Sequence, residues 1–402
     1  MLTHKSTLFP STAIEAGKAF SPYVIKTYRA LHTIPELGMH EKKTWDFIIH
    51  SLKEIRATSL LPFSIIEKRG GIVVDLQSGN ENQPFTLFRA DMDALPIEEK
   101  TQLPFASKHP GFMHACGHDA HVAMLLGYLK LATSYPHHFP KHPIRLVWQR
   151  SEERGPVYSG ALALLEENIL DNVGSVYALH IDSMAKSGLF HSTPGSILSS
   201  TGELFIEIGA QGGHVMREEI SPSALEIGTH VLSSLIYAIK KISLQYPNCR
   251  IVPTLFHTGS AVNIRPSKAH IAIAIRHYYN DATSVKSILN LIKESVDKVI
   301  EKSPTAHLTR FEYEKGHQVT YNTPKVFETI HAAILDSGHT SQISPPAYAG
   351  EDFGYFLNQR QGCYYRLGAQ VGKGVDHHSP YFVIDESILW KGVGFWFLLS
   401  RL

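Results

Sequence analysis

The chain lacks a surplus of either charge: over 402 residues, 38 Lys and Arg nearly cancel 37 Asp and Glu, a formal balance of +1. With no net field to draw a polyanion, the usual footprint of a nucleic-acid binder is missing. Long apolar runs are missing too. None approaches the roughly 18 residues of a membrane span. Residues 1–20 carry Lys5 but no apolar core followed by small residues, so no signal peptide is expected there. Cysteine is scarce: Cys116, Cys249 and Cys363 are widely separated and odd in number. That argues against a disulfide framework and leads us to expect a reducing cytoplasm. We find no internal repeat and no low-complexity tract. The length suffices for two domains with buried cores.

What is present is patterned. Residues 72–76, 85–90, 144–149 and 175–179 read as strands, and helical patterns alternate with them, which argues for an α/β layer fold. One helix follows Asp119, a plausible N-cap, and carries Val122, Leu125, Leu126 and Leu129 on one face. Another covers roughly residues 159–168. Near Pro194-Gly195 the pattern changes to strand, long helix, two strands, helix and strand. The long helix is expected to open at Ser221-Pro222, a cap followed by proline in the first turn. Strands are expected at 204–209, 254–258 and 270–277, and this block reads as an inserted α+β module. After Gly316 the α/β pattern returns, with a helix from Thr323-Pro324 to Gly338 and a strand at 364–367. The expected division is 1–194 with 316–402 as one discontinuous domain and 195–315 as the other.

Chemistry collects at strand ends. Asp91 and Asp93 follow 85–90, Glu152 and Glu153 follow 144–149, and His180 follows 175–179. In open α/β sheets ligands bind outside the carboxyl ends of the strands. If these strands are parallel, the three polar endings share one rim. The run Met113-His114-Ala115-Cys116-Gly117-His118-Asp119 adds a thiol and an imidazole in a loop that Gly117 lets turn tightly. Cys116 is either a buried cysteine beside surface histidines or a metal ligand, and the density of donors favours the ligand; Cys249 and Cys363 lack such neighbours. Among the 24 histidines several are incidental, His137 and His138 included. In Glu152-Glu153, adjacent side chains diverge, so one carboxylate can hold metal while the other faces an activated water. An exposed acidic pair is the alternative. His377-His378-Ser379-Pro380, taken alone, is a turn with two solvated histidines.

Several segments occur together in a familiar order: Arg89-Ala90-Asp91-Met92-Asp93-Ala94-Leu95-Pro96, the Cys116 run, Glu152-Glu153, Gly212-Gly213-His214 and Ala349-Gly350-Glu351-Asp352-Phe353. With His32-Thr33-Ile34-Pro35-Glu36-Leu37 they resemble the metal-dependent amidohydrolase/carboxypeptidase family of hippurate hydrolases, N-acetyl-diaminopimelate deacetylases and auxin-conjugate hydrolases. The resemblance covers nearly the whole chain. It implies a catalytic domain with a mixed, mostly parallel sheet flanked by helices, and an inserted lid and dimerisation domain with a four-stranded antiparallel sheet and two helices. It implies that Cys116, His118, Glu153, His180 and His378 ligate two divalent metal ions (zinc, manganese, nickel or cobalt), with Glu152 as general base. His214 resembles the lid histidine that meets the tetrahedral intermediate, often across a homodimer interface. Asn263 and Arg276 resemble lid positions that hold the substrate carboxylate. Asp91, Asp93, Glu351 and Asp352 are expected to support the site from behind.

The implied substrate is an N-acyl amino acid or a peptide-like small molecule, with no nucleic acid and no membrane involved. Departures from the family pattern fall at Arg150-Ser151, at residues 154–159, at Ile181-Asp182 and at Val215-Met216-Arg217-Glu218. They leave the substrate open. The alternatives are a dipeptidase or aminopeptidase with the same site, a metal-binding scaffold with a retired site, and, more weakly, a hydrolase with Cys116 as nucleophile.

Overall fold

The computed structural model describes residues 12–77, 83–135, 142–216 and 222–402. Residues 1–11, His137, His138, Arg217, Glu218 and Ser221 lie outside the described residues. The chain divides into two compact units, one formed by 1–197, 320–346 and 352–402, the other by 198–319 and 347–351. The crossings fall a few residues later than the expected 194/195 and 315/316, and the stretch 347–351 joins the second unit.

The first unit is built on an eight-stranded mixed sheet. Its spatial order is Phe63–Lys68, Gly71–Leu76, Ile144–Gln149, Phe85–Asp91, Val173–Asp182, Gln361–Gly368, Leu189–Ser192 and Thr340–Ile343. The four central strands run parallel. Phe85–Asp91 and Ile144–Gln149 are buried along almost their whole length, as strands covered on both faces must be. From Phe85–Asp91 the chain crosses to Ile144–Gln149 on one side and returns to Val173–Asp182 on the other. The carboxyl end of Phe85–Asp91 therefore lies at a topological switch point, where such sheets open to ligands. Asp91 pairs in register with Gln149, and His180 lies inside its strand, which continues to Asp182 instead of ending at Leu179.

Helix His118–Ser134 is buried along nearly all its length because it packs on the central strands and also against helices Ala13–His32 and Trp390–Leu399. It does not start after Asp119. His118 is its first residue, and Gly117 holds the cap position at φ 90°. That left-handed angle favours glycine. Space selects glycine as well, since a Cβ there would stand 3.2 Å from Cβ of Ile181. The turn sets Cys116 just ahead of the helix and His118 on its first turn.

The second unit holds a four-stranded antiparallel sheet in the order Cys249–Thr258, Lys268–His277, Ser200–Gly209 and His307–Lys315. Helices Ala224–Gln245 and Ala282–Ile300 pack on one face of it. Period-two alternation turns Leu204, Ile206 and Ile208 into that core, joined by Ile271, Ile273 and Ile275. The first helix begins at Ala224, later than Ser221-Pro222, because Ser223 caps it: the Glu226 carboxylate accepts both the Ser223 N–H and its hydroxyl, each at 2.7 Å.

Candidate metal centre

Side chains from three neighbouring strand ends and two loops meet in the first unit. Cys116 Sγ lies 3.5 Å from His180 Nε2. Glu153 Oε1 lies 3.9 Å from His118 Nε2 and 3.2 Å from His378 Nε2. The donor atoms of Cys116, His118 and His180 fall within 4.8 Å of one another, as do those of Cys116, Glu153 and His378, and those of His118, Glu152 and Glu153. These trios share members. All five expected ligands and the expected base thus sit in one cluster.

Contacts behind these residues aim them. His118 donates Nδ1–H to Asp93 Oδ1 at 3.1 Å, and Asp93 Oδ2 accepts the backbone N–H of Glu153 at 3.0 Å. One carboxylate therefore clamps two members of the cluster. His180 donates Nδ1–H to the carbonyl of Ile181 at 2.6 Å, which turns Nε2 toward Cys116. His118 Nε2 is left buried without a hydrogen bond, a state that native interiors rarely tolerate.

The local field calls for a cation. Burial alone would lower the His118 pKa, yet Asp91, Asp93 and Glu153 raise it to about 10. The Cys116 thiol is pushed well up, first by burial and then by Glu153, Glu152 and Asp91. Thiolate, imidazole and carboxylate donors around an orphaned imidazole nitrogen fit divalent transition ions. Asp93→Ala is expected to weaken metal retention about 10–100-fold in a chelator competition; retention equal to the wild type would remove the clamp from the account.

Asp91 and Asp352 lie deeper. Arg89, 2% exposed, bonds Asp91 at 2.6 Å and Asp352 at 2.7 Å, and Gln149 and Ser159 also bond Asp352. Glu351 is buried and belongs to the second unit. Sequence reasoning missed His121. Its Nδ1 bonds Asp91 and its Nε2 accepts the Ile181 N–H at 2.9 Å, so both ring nitrogens are engaged and His121 pins Ile181, the residue whose carbonyl orients His180. The signal was the His118–His121 spacing of three, which brings both rings to one helix face, 5.4 Å apart.

His32 was also read only as part of a motif. Buried, it bonds Asp119 at 2.6 Å and Glu99 at 3.4 Å. Burial lowers its pKa, but the two carboxylates outweigh burial and raise it to about 9. A raised histidine stabilises the fold fully below the unfolded value near 6.5 and loses that contribution as pH rises through about 9. Between pH 6 and pH 10 the wild type is therefore expected to lose on the order of 2–3 kcal/mol more than His32→Gln in urea melts. Parallel losses would mean that His32 is neutral at pH 6.

Arg150-Ser151 is held by Glu41, which accepts Arg150 Nε at 2.8 Å and the Ser151 N–H at 2.9 Å. Ser151 adopts φ 49°, a left-handed bend that leads into Glu152.

In the second unit, the short strand Gly213–His214 pairs with Ile264–Arg265, and the Val215 N–H bonds the carbonyl of Asn263 at 3.2 Å. His214 and Asn263 are thus neighbours. Arg276 is not with them: it sits at the far end of Lys268–His277, opposite Thr201 and Arg250. At ~3.3 Å per residue, the eight steps from Lys268 to Arg276 span roughly 26 Å.

A switch-point cluster of sulfur, imidazole and carboxylate donors, in a chain that also folds an antiparallel module, is an arrangement suited to metal-assisted hydrolysis. Residues 87–401 match the profile of peptidase family M20/M25/M40. The chain belongs to that family and is a hydrolase acting on amide bonds. It is 30% identical over 359 residues to N-acetyldiaminopimelate deacetylase of Bacillus velezensis, spanning 88% of this chain and 92% of the relative. Its fold resembles the crystal structure of a protein described as an aminohydrolase from methicillin resistant Staphylococcus aureus (TM-score 0.83, 27% identity, 97% of this chain and 99% of that one). It also resembles YXEP of Bacillus subtilis, described as a dinuclear metal binding peptidase (TM-score 0.77, 24% identity, 95% and 98% covered). Among the described residues no helix is long and apolar enough to cross a membrane.

Proposed function

We propose that this hydrolase cleaves the amide bond of an N-acyl amino acid or a related small conjugate, with two divalent ions held by Cys116, His118, Glu153, His180 and His378. The observation that carries this reading is the convergence of sulfur, imidazole and carboxylate donors around the buried His118 Nε2, which has no hydrogen bond. Such ions supply Lewis acidity and lower the pKa of a water. Glu152, buried beside Glu153 and His118, takes the proton of the attacking water and returns it to the leaving amine. Asp93 keeps His118 and Glu153 aligned meanwhile.

In this reading His214 meets the oxyanion, and Asn263 and Arg276 hold the substrate carboxylate. His214 lies on the short two-stranded sheet and Arg276 at the far end of Lys268–His277 in the four-stranded sheet, a separation that supports a homodimer in which two copies complete one site. Exposed Val252 and Leu255 on the edge strand and exposed Tyr237 and Leu244 on the neighbouring helix supply an apolar surface for it. The deacetylase relative supports N-acyl substrates, and the scarce cysteines support a cytoplasmic setting.

The test is metal analysis together with activity across N-acyl amino acids and free dipeptides, with zinc, manganese, nickel and cobalt in turn. Faster turnover of N-acyl amino acids and about two ions per chain are expected. Preference for free dipeptides would favour a dipeptidase or aminopeptidase. Metal binding without turnover of any amide would favour a retired scaffold.

A further inference from the structure

His377, like His121, lies beside the cluster and outside the expected ligand set. Its Nδ1 lies 3.7 Å from Cys116 Sγ, within hydrogen-bonding range for sulfur. Its ring packs 5.4 Å from the His180 ring and 5.2 Å from that of Phe382. The backbone explains how adjacent histidines address different partners. His378 adopts φ 63°, a left-handed angle uncommon for a residue with a side chain, and its N–H bonds the carbonyl of Ala115 at 2.9 Å, docking the loop on the residue before Cys116. With that bend in place, His378 reaches Glu153 and His377 reaches Cys116. The nitrogens of His377 fall outside the trios whose donors lie within 4.8 Å of one another. It meets the sulfur without sharing the geometry of the ligand groups.

We infer that His377 donates its Nδ1–H to the sulfur of Cys116 and is a positioning residue of the metal centre. The bond fixes the direction of the sulfur lone pairs and draws electron density from them, which tunes how strongly the sulfur donates to an ion. Outer contacts of this kind govern metal affinity as well as geometry. The inference rests on Cys116 being a ligand.

Cobalt(II) tests it, because a bound thiolate gives a sulfur-to-cobalt charge-transfer absorption. Full-length wild type, His377→Phe and His377→Asn are titrated with cobalt(II), and each loaded protein is then challenged with a chelator. His377→Phe keeps the ring packing and removes the donor; His377→Asn keeps an N–H near the position of Nδ1. The expected result is a shifted band and about 10–100-fold easier loss of cobalt in His377→Phe, restored in His377→Asn, with equal cobalt stoichiometry in all three. An unchanged band and unchanged retention in His377→Phe overturn the hydrogen bond. Loss of one cobalt equivalent in both variants overturns it as well, making His377 a ligand. Wild type that binds cobalt without the band overturns the ligand role of Cys116 and this inference together. Circular dichroism monitors folding, and His377→Leu repeats the comparison if His377→Phe does not fold.

Discussion

Glu152→Gln is expected to lower kcat by about 10²–10⁴-fold while metal content and KM stay close to the wild type. Glutamine keeps the volume and one acceptor oxygen of the side chain but cannot take up a proton. The neighbouring carboxylate is already committed: the Glu153 N–H is tied to Asp93, and Glu153 Oε1 faces His118 and His378. Since adjacent side chains diverge, in the proposed reading Glu152 is left to move the proton, and its burial keeps bulk water from substituting. Metal analysis beside steady-state kinetics separates the two roles. Full turnover in Glu152→Gln would remove it as the base; a loss of metal would make it a ligand.

Arg89→Met should destabilise the first unit by about 3–5 kcal/mol, the usual cost of leaving buried charge without its partner. Arg89 bonds two fully buried carboxylates, Asp91 and Asp352, and Gln149 as a third partner. Burial would raise the Asp91 pKa, yet Arg89, His118 and His121 hold it well below the ordinary carboxylate range. Without the guanidinium, Asp91 takes up a proton or its support of His121 slackens, and the Ile181 peptide behind His180 loosens with it. Urea denaturation would show a lower midpoint at an unchanged slope. A change under about 1 kcal/mol would mean that the carboxylates find other compensation.

The sheet and the cluster were legible in the sequence for a shared reason. Parallel central strands are buried on both faces and appear as apolar runs, so polar residues at their ends stand out; Asp91, Glu152, Glu153 and His180 were found that way. The N-cap of the central helix was misread because Asp119 is a good capping residue by type, and only the tertiary space beside Ile181 reveals that Gly117 takes the position. His121 and Arg89 were missed because their partners, the Ile181 peptide and Asp352, lie far along the chain. The tandem histidines were ambiguous for a related reason: a left-handed bend at His378 divides them, and no spacing rule encodes it.

The order in which the first unit is assembled has a consequence for synthesis. Its strand Gln361–Gly368 lies inside the sheet, between Val173–Asp182 and Leu189–Ser192, yet it emerges from the ribosome only after the whole of 198–319. The second unit, continuous over that stretch, can fold first, while the half-built sheet waits with an open edge where neighbouring nascent chains could pair. His377 and His378 arrive later still. An unfinished chain therefore carries Cys116 and His118 without the loop that completes their surroundings, so in the proposed reading hydrolytic competence is withheld until the fold has closed.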